Sequence, residues 1–181
     1  MQQAAARDIH DMTAYVALLR AVNVGGTGKL PMSTLVEMCE ACGLERVRTY
    51  IASGNVVFAS RLVERRIKGV IEERLAAYAG KPVGVLVRTA EEIAAVHAAN
   101  PFHAAPPSRT VAIFLDEPPP PGALDEARGR RAERVALGVR EIYVAYGDGM
   151  AGSRLVIPAA KAGTARNMNT IAKLAAMAAA L

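Results

Sequence analysis

One pattern limits the fold more than any other: a strand, helix, strand, strand order that runs once before the pair Pro106-Pro107 and begins again after it. Residues 15–21 (YVALLRA) are an apolar run of strand length, and they lead into a turn-rich stretch from Asn23 to Lys29. Pro31 suits a first helical turn, Met32, Leu35, Val36, Cys39 and Cys42 recur at helical spacing, and Gly43 supplies the stop. Residues 46–52 alternate with Val47, Thr49 and Ile51 on one face, and residues 56–59 form a partner strand across Ser53-Gly54-Asn55. Residues 62–78 then carry Val63, Ile67, Val70, Ile71 and Leu75 on one helical stripe, and Gly80 and Pro82 break the chain before a strand over 83–87. The order β-α-β-β-α-β is the split arrangement of a ferredoxin-like unit, an antiparallel sheet with two helices on one face.

A further helix is expected over 89–99, with Thr89 as N-cap and Glu92 at the reciprocal capping-box position, ended by Asn100 and Pro101. Residues 102–109 read as a connector. Beyond it come a strand over 110–115, a stiff turn at 118–121, a short charged helix over 123–131, and strands over 134–137 and 141–146 around Gly138. A strand over 154–157 and a closing helix over 166–181, capped by Thr164, complete the second series. The expectation is an α+β protein made by internal duplication. It has a disordered tail over 1–13 and two ferredoxin-like halves, 14–101 and 110–181.

With 181 residues, 52% of them apolar and 22% charged, the chain is long enough to bury a core, and intrinsic disorder is excluded as its main state. Its apolar runs, such as residues 174–181, fall short of the ~20 residues of a membrane span, so no membrane partner is expected. Residues 1–12 carry Asp8 and Asp11 and do not suit a signal peptide, so a cytoplasmic location is expected. The net charge of +5 is mostly arginine, 17 against 5 lysines, which suits bidentate anion contacts. The densest charged run, residues 61–74, mixes Arg65, Arg66, Lys68 and Arg74 with Glu64, Glu72 and Glu73, as a solvated helix face does. Eight aromatics and no tryptophan leave few stacking platforms for single-stranded nucleic acid. Cys39 and Cys42 have C-x-x-C spacing but fall at a helix C-terminus, where the negative dipole end disfavours a thiolate. With His10, His97 and His103 at no metal-ligand spacing, neither a metal nor a cofactor is expected.

The run Gly25-Gly26-Thr27-Gly28-Lys29 departs from both specific phosphate-loop templates: a P-loop would need glycine at Asn23 and Ser or Thr at Leu30, and a dinucleotide fingerprint glycine at Pro31. Topology gives it a context. In a ferredoxin-like sheet the first two strands run parallel, so the loop after Ala21 and the Ser53-Gly54-Asn55 hairpin emerge at one edge. Arg20, Asn23, Gly25, Gly26, Lys29, Ser53, Gly54 and Asn55 are therefore candidate anion-binding groups, although Ser-Gly-Asn is also good turn chemistry. Arg166, Asn167 and Asn169 join them as donors expected near the positive end of the last helix. Two functions fit: a module binding an anionic small molecule, a nucleotide or nucleic acid, or a small enzyme acting on a phosphorylated or carboxylated metabolite. No catalytic residue stands out.

Residues 15–26 (YVALLRAVNVGG), 30–32 (LPM), 47–58 (VRTYIASGNVVF) and 163–170 (GTARNMNT) resemble, in order, the signature blocks of the bacterial family labelled domain of unknown function 1697. The resemblance implies two ferredoxin-like halves and no established activity. Where that family usually places an aromatic, most often tryptophan, this chain has Met168. An aromatic that stacks on a ligand is not replaced by methionine, whereas one that only packs is.

Overall fold

The continuous apolar run around Leu18 becomes a central strand because both of its faces are buried. The computed structural model describes residues 9–23 and 29–181. Strand β1 (Ile9–Leu19) lies between β3 (Asn55–Leu62) and β4 (Val85–Thr89), and β2 (Glu45–Thr49) pairs with β3, giving an antiparallel sheet of order β2-β3-β1-β4. Helices α1 (Met32–Ala41) and α2 (Glu64–Ala79) make the two crossovers. Tyr15, Ala17, Leu19, Val56, Phe58, Val85 and Val87 form one core with Leu35 and Cys39 of α1 and Ile67, Ile71 and Leu75 of α2. Each of these larger aliphatic side chains contributes about 1.5–3 kcal/mol by its burial. On the other face Val16, Leu18, Val57, Leu86 and Arg88 are also buried. Burial of both faces explains why the strand shows no polar alternation.

The second sheet has the same order, β6-β7-β5-β8. Its strands are β5 (Thr110–Phe114), β6 (Arg134–Leu137), β7 (Glu141–Ala145) and β8 (Thr164–Asn167). Each half closes with a helix that follows its fourth strand without a loop: α3 (Ala90–Ala98) after β4, and α4 (Met168–Ala179) after β8. The registers coincide. Leu18 faces Asn55 as Phe114 faces Glu141, and Tyr15 faces Thr89 as Val111 faces Asn167. Thr89 and Asn167 are thereby equivalent, and both cap a helix. The Thr89 hydroxyl accepts from Glu92 N (3.1 Å) while the Glu92 carboxylate accepts from Thr89 N (2.8 Å), the capping box read in the sequence. Asn167 Oδ1 accepts from Thr170 N (2.9 Å). The residues just before the caps, Arg88 and Arg166, are both buried arginines. The protein is thus an α+β fold of two split β-α-β halves, with two four-stranded antiparallel sheets and four α-helices among the described residues.

By compactness the chain divides into Met1–Ile93 with Leu174–Leu181, and Ala94–Lys173. This division cuts α3 and α4, whereas the halves 14–101 and 110–181 follow strand order. Several expectations are corrected. Strand β1 begins at Ile9, inside the segment 1–13 expected to be a disordered tail. No helix forms over 123–131. The window follows Pro118 to Pro121 and Gly122 and contains Gly129, residues that do not propagate a helix. Turns fill it, and Gly129 sits at φ +69 with the place of a Cβ only 2.1 Å from the Arg154 carbonyl oxygen. Residues 154–157 contribute only an isolated bridge, Arg128 to Val156. The fourth strand is instead Thr164–Asn167, so Thr164 is not the N-cap: its backbone pairs with Phe114, and Asn167 takes the cap.

Candidate functional site

Antiparallel pairing of β3 with both β1 and β2 makes β1 and β2 parallel, so the end of β1, the end of β2 and the start of β3 meet at one end of the first sheet. Strand β4 also starts there, because Leu19 faces Val85, and α2 finishes there at Gly80, φ +69. This end gathers Arg20, Asn23, Lys29, Ser53, Gly54 and Asn55. Gly25 and Gly26 lie outside the described residues.

Both asparagines are engaged with backbone. Asn23, at φ +55, donates from Nδ2 to Leu30 O (3.0 Å) and Ala52 O (2.9 Å) and accepts from Leu30 N at Oδ1 (2.7 Å). One side chain therefore ties the two ends of the glycine-rich segment together and fastens them to the β2–β3 turn. Asn55, fully buried, donates to Tyr50 O (2.8 Å) and Ser53 Oγ (3.0 Å). Gly54, at φ +84, accepts from Leu19 N through its carbonyl (2.8 Å), and a Cβ there would lie 2.8 Å from Leu19 Cβ and 2.9 Å from Val22 Cγ2. The side chains of Arg20 and Lys29 are exposed at this edge. Ala21 (φ +53) and Asn23 are both left-handed, and such residues carry about 1–3 kcal/mol of strain each unless, like Asn, they tolerate that region.

Beside the edge is a cleft of about 290 Å³, at the small end of the ~300–1,000 Å³ range of ligand pockets. Ala21, Val22, Leu30, Leu75, Ala79 and Val83 line it, with Lys29, Lys81 and Tyr78. Tyr78 Oη donates to Lys29 O (3.4 Å), and the side chain is 49% exposed. The contributions of α2 and of the segment before β4 were missed in the sequence. Their signal was the Gly80 stop, which places Tyr78 in the last turn of α2, together with the antiparallel sense of β4.

Arg166, Asn167 and Asn169 belong to the second unit. Arg166 lies on β8 rather than in a helix, and it donates to Thr164 Oγ1 (2.8 Å) and Ala165 O (2.9 Å). Burial pulls its guanidinium pKa down to about 10. Asn167 is the cap, and Asn169 is exposed. Met168 is buried at 2% exposure, filling its position by packing.

At the end of the second sheet equivalent to the first site, acidic side chains line the cleft and the Arg140 guanidinium donates to the Asp116 carbonyl (3.2 Å). Leu115 N donates to Arg140 O (2.9 Å) as Leu19 N does to Gly54 O, so Asp116 stands where Arg20 stands. A cleft of about 610 Å³ lies there, lined by Asp116, Glu117, Glu126 and prolines 118–120 and 158. The buried Glu141, in the place of Asn55, accepts from Val139 N (2.8 Å) and Arg140 N (3.0 Å). Cys39 and Cys42 are free thiols. Burial pushes Cys39 up to about 12 and also raises Cys42, whose Sγ donates to Val70 O (3.6 Å). Among the described residues no group of three His, Cys, Asp or Glu side chains is placed to hold a metal ion, and no helix is long and apolar enough to cross a membrane.

A family model described as "Protein of unknown function (DUF1697)" matches residues 12–143. Curated protein sequences give no match. Among solved structures, the conserved bacterial protein SP0830 from Streptococcus pneumoniae is similar at a TM-score of 0.74 and 22% identity, over 92% of this chain and 98% of that one. At that identity the likeness speaks for the fold.

Proposed function

Since the chain belongs to the family described as protein of unknown function DUF1697, whose description states no activity, we propose a role from the site alone: binding of an anionic small ligand, of the nucleotide class, at the β1–β2 end of the first half. The observation that carries this reading is the Asn23 clamp. One half-buried amide, Asn23, bonds Leu30 and the Ala52 carbonyl at the edge where Arg20 and Lys29 are exposed, and in sequence Gly25, Gly26 and Gly28 lie between Asn23 and Lys29. Glycines allow close backbone approach to an anion, and arginine and lysine supply charge-assisted donors. A concave cleft beside that edge suits a small ligand better than an extended nucleic acid. The reading places the protein in the cytoplasm, where a reducing environment keeps Cys39 and Cys42 as thiols.

The test is thermal stabilisation by adenosine and guanosine mono-, di- and triphosphates, with a single-stranded oligonucleotide titrated at several salt concentrations as the competing case. At a free concentration of 100 times Kd, a ligand should stabilise the fold by about 2.7 kcal/mol. An Arg20→Ala, Lys29→Ala double variant should lose that effect while keeping its own melting temperature, because both side chains are exposed. Stabilisation by no nucleotide would sink the reading. Binding of the oligonucleotide alone, with affinity falling steeply with salt, would replace it with a nucleic-acid interface.

A further inference from the structure

We infer that the cleft between the end of α2 and the start of β4 selects the ligand's chemistry: an anionic group carried by a compact aromatic body, with the ring on Tyr78 and the anion between Lys29 and Lys81. This rests on the anion-binding reading above and names the ligand class of that same site.

The cleft has two chemically different parts. Leu30, at 5% exposure, and Leu75, at 1%, form an apolar floor continuous with the core, and Val22 and Val83 extend it. A bare phosphate makes no use of such a floor, whereas a planar ring buries apolar area on it. Tyr78 stands at the rim, about half exposed, and its hydroxyl is tied to the Lys29 carbonyl at 3.4 Å. That bond fixes the phenol ring as one wall and joins it to the residue that carries a cation. Aromatic pairs held in this way strengthen binding beyond what area burial alone supplies. Lys29 and Lys81, from two different chain segments, are both exposed and both line this cleft. With a volume of about 290 Å³ the cleft admits one ring system and its linker rather than a polymer.

The duplication provides an internal contrast. The equivalent cleft of the second half is lined by Asp116, Glu117 and Glu126 and by prolines, with no lysine and no tyrosine. Carboxylates rather than lysines line it, so one class of ligand should distinguish two places that share a backbone plan.

Three probes separate the parts: phenyl phosphate, inorganic phosphate and phenol, titrated calorimetrically into the full-length protein. Phenyl phosphate should bind about tenfold more tightly than either of the others, since ring burial and charge act together. Tyr78→Ala should remove most of that tenfold advantage and leave inorganic phosphate unchanged, while Lys81→Gln should weaken both phosphates about threefold, as a solvent-accessible charge does. Tyr78 and Lys81 are exposed, so both variants should keep the wild-type melting temperature, and Tyr78→Phe should retain ring-dependent binding. Equal affinity for phenyl phosphate and inorganic phosphate would overturn the cleft proposal and leave the anionic edge standing. Binding of neither would overturn both readings. Phenol binding as tightly as phenyl phosphate would remove the anion from the account, and with it the proposal.

Discussion

The two halves share strand order, register, cap position and a buried arginine before the cap, yet they differ in what covers the crossovers and in the sign of charge at the equivalent edge. In the first half both crossovers are α-helices, α1 and α2. In the second they are turns and a short 3-10 segment, Pro158–Ala160. The backbone plan of the sheet is therefore separable from the helices that usually accompany it: four strands in the order β6-β7-β5-β8 form where turns, Gly129 among them, take the place of a crossover helix. Charge is separable as well, since Asp116 takes the place of Arg20 without disturbing the Leu115 N to Arg140 O bond.

The largest expected effect contrasts the two hairpin bonds. Gly54→Ala puts a Cβ within 3 Å of Leu19 and Val22 at a left-handed φ and should destabilise the protein by about 3 kcal/mol in urea unfolding. Arg140→Ala, at the equivalent carbonyl, should cost no more than about 1 kcal/mol. Similar losses at both positions would show that the first turn has no special steric demand.

Next comes the polar pair Asn55 and Glu141. Asn55→Asp removes two donated bonds and turns a carboxylate toward the Tyr50 carbonyl, so a loss of about 2 kcal/mol is expected. Glu141→Gln keeps an acceptor for one of two backbone N–H groups and should lose about 1 kcal/mol. Reversal of that order would mean that the first edge does not depend on its amide.

A smaller effect concerns pH. Burial in the first core raises Cys39 from 9.0 to about 12, so the folded state holds the thiol proton more tightly than the unfolded chain. The associated stability is fully present below about pH 9 and is lost as pH rises toward 12. Cys39→Ala should therefore be less stable at neutral pH but decline less steeply from pH 9 to 11, as followed by circular dichroism. An unchanged slope would contradict the burial of that thiol. The smallest effect belongs to the surface of α2, a helix with no counterpart in the second half. Lys68→Ala removes a 3.7 Å pair with Glu72 on a partly exposed face and should change stability by less than about 0.5 kcal/mol.

Much of this was legible in the sequence. The α2 stripe of Ile67, Ile71 and Leu75, the Thr89–Glu92 box and the hairpin around Ser53-Gly54-Asn55 are local patterns whose chemistry tertiary contacts reinforce. The strand start at Ile9, the missing strand over 154–157 and two further features were not. Residues 123–131 contain good helix formers, Ala123, Leu124, Glu126 and Ala127, and local propensity favours a helix; the close approach of Gly129 to Arg154 is a long-range fact. Likewise Thr164 looks like a cap because it precedes a helical pattern, but pairing with Phe114 draws the chain into a strand as far as Asn167. For the site, strand parallelism brought Asn23 and Asn55 to one end, whereas their absorption into backbone clamps depends on the Leu30, Ala52 and Tyr50 carbonyls, partners that spacing does not reveal.

The central claim, that the two equivalent edges have diverged into one that takes anions and one that does not, is tested most directly by titrating adenosine monophosphate into isotopically labelled protein and following every assigned backbone amide. The account predicts saturable shifts at Ala21, Leu30, Tyr78 and Lys81 and none at Asp116, Glu117 and Glu126. Shifts centred on the second group, or the same weak shifts in both, would contradict it.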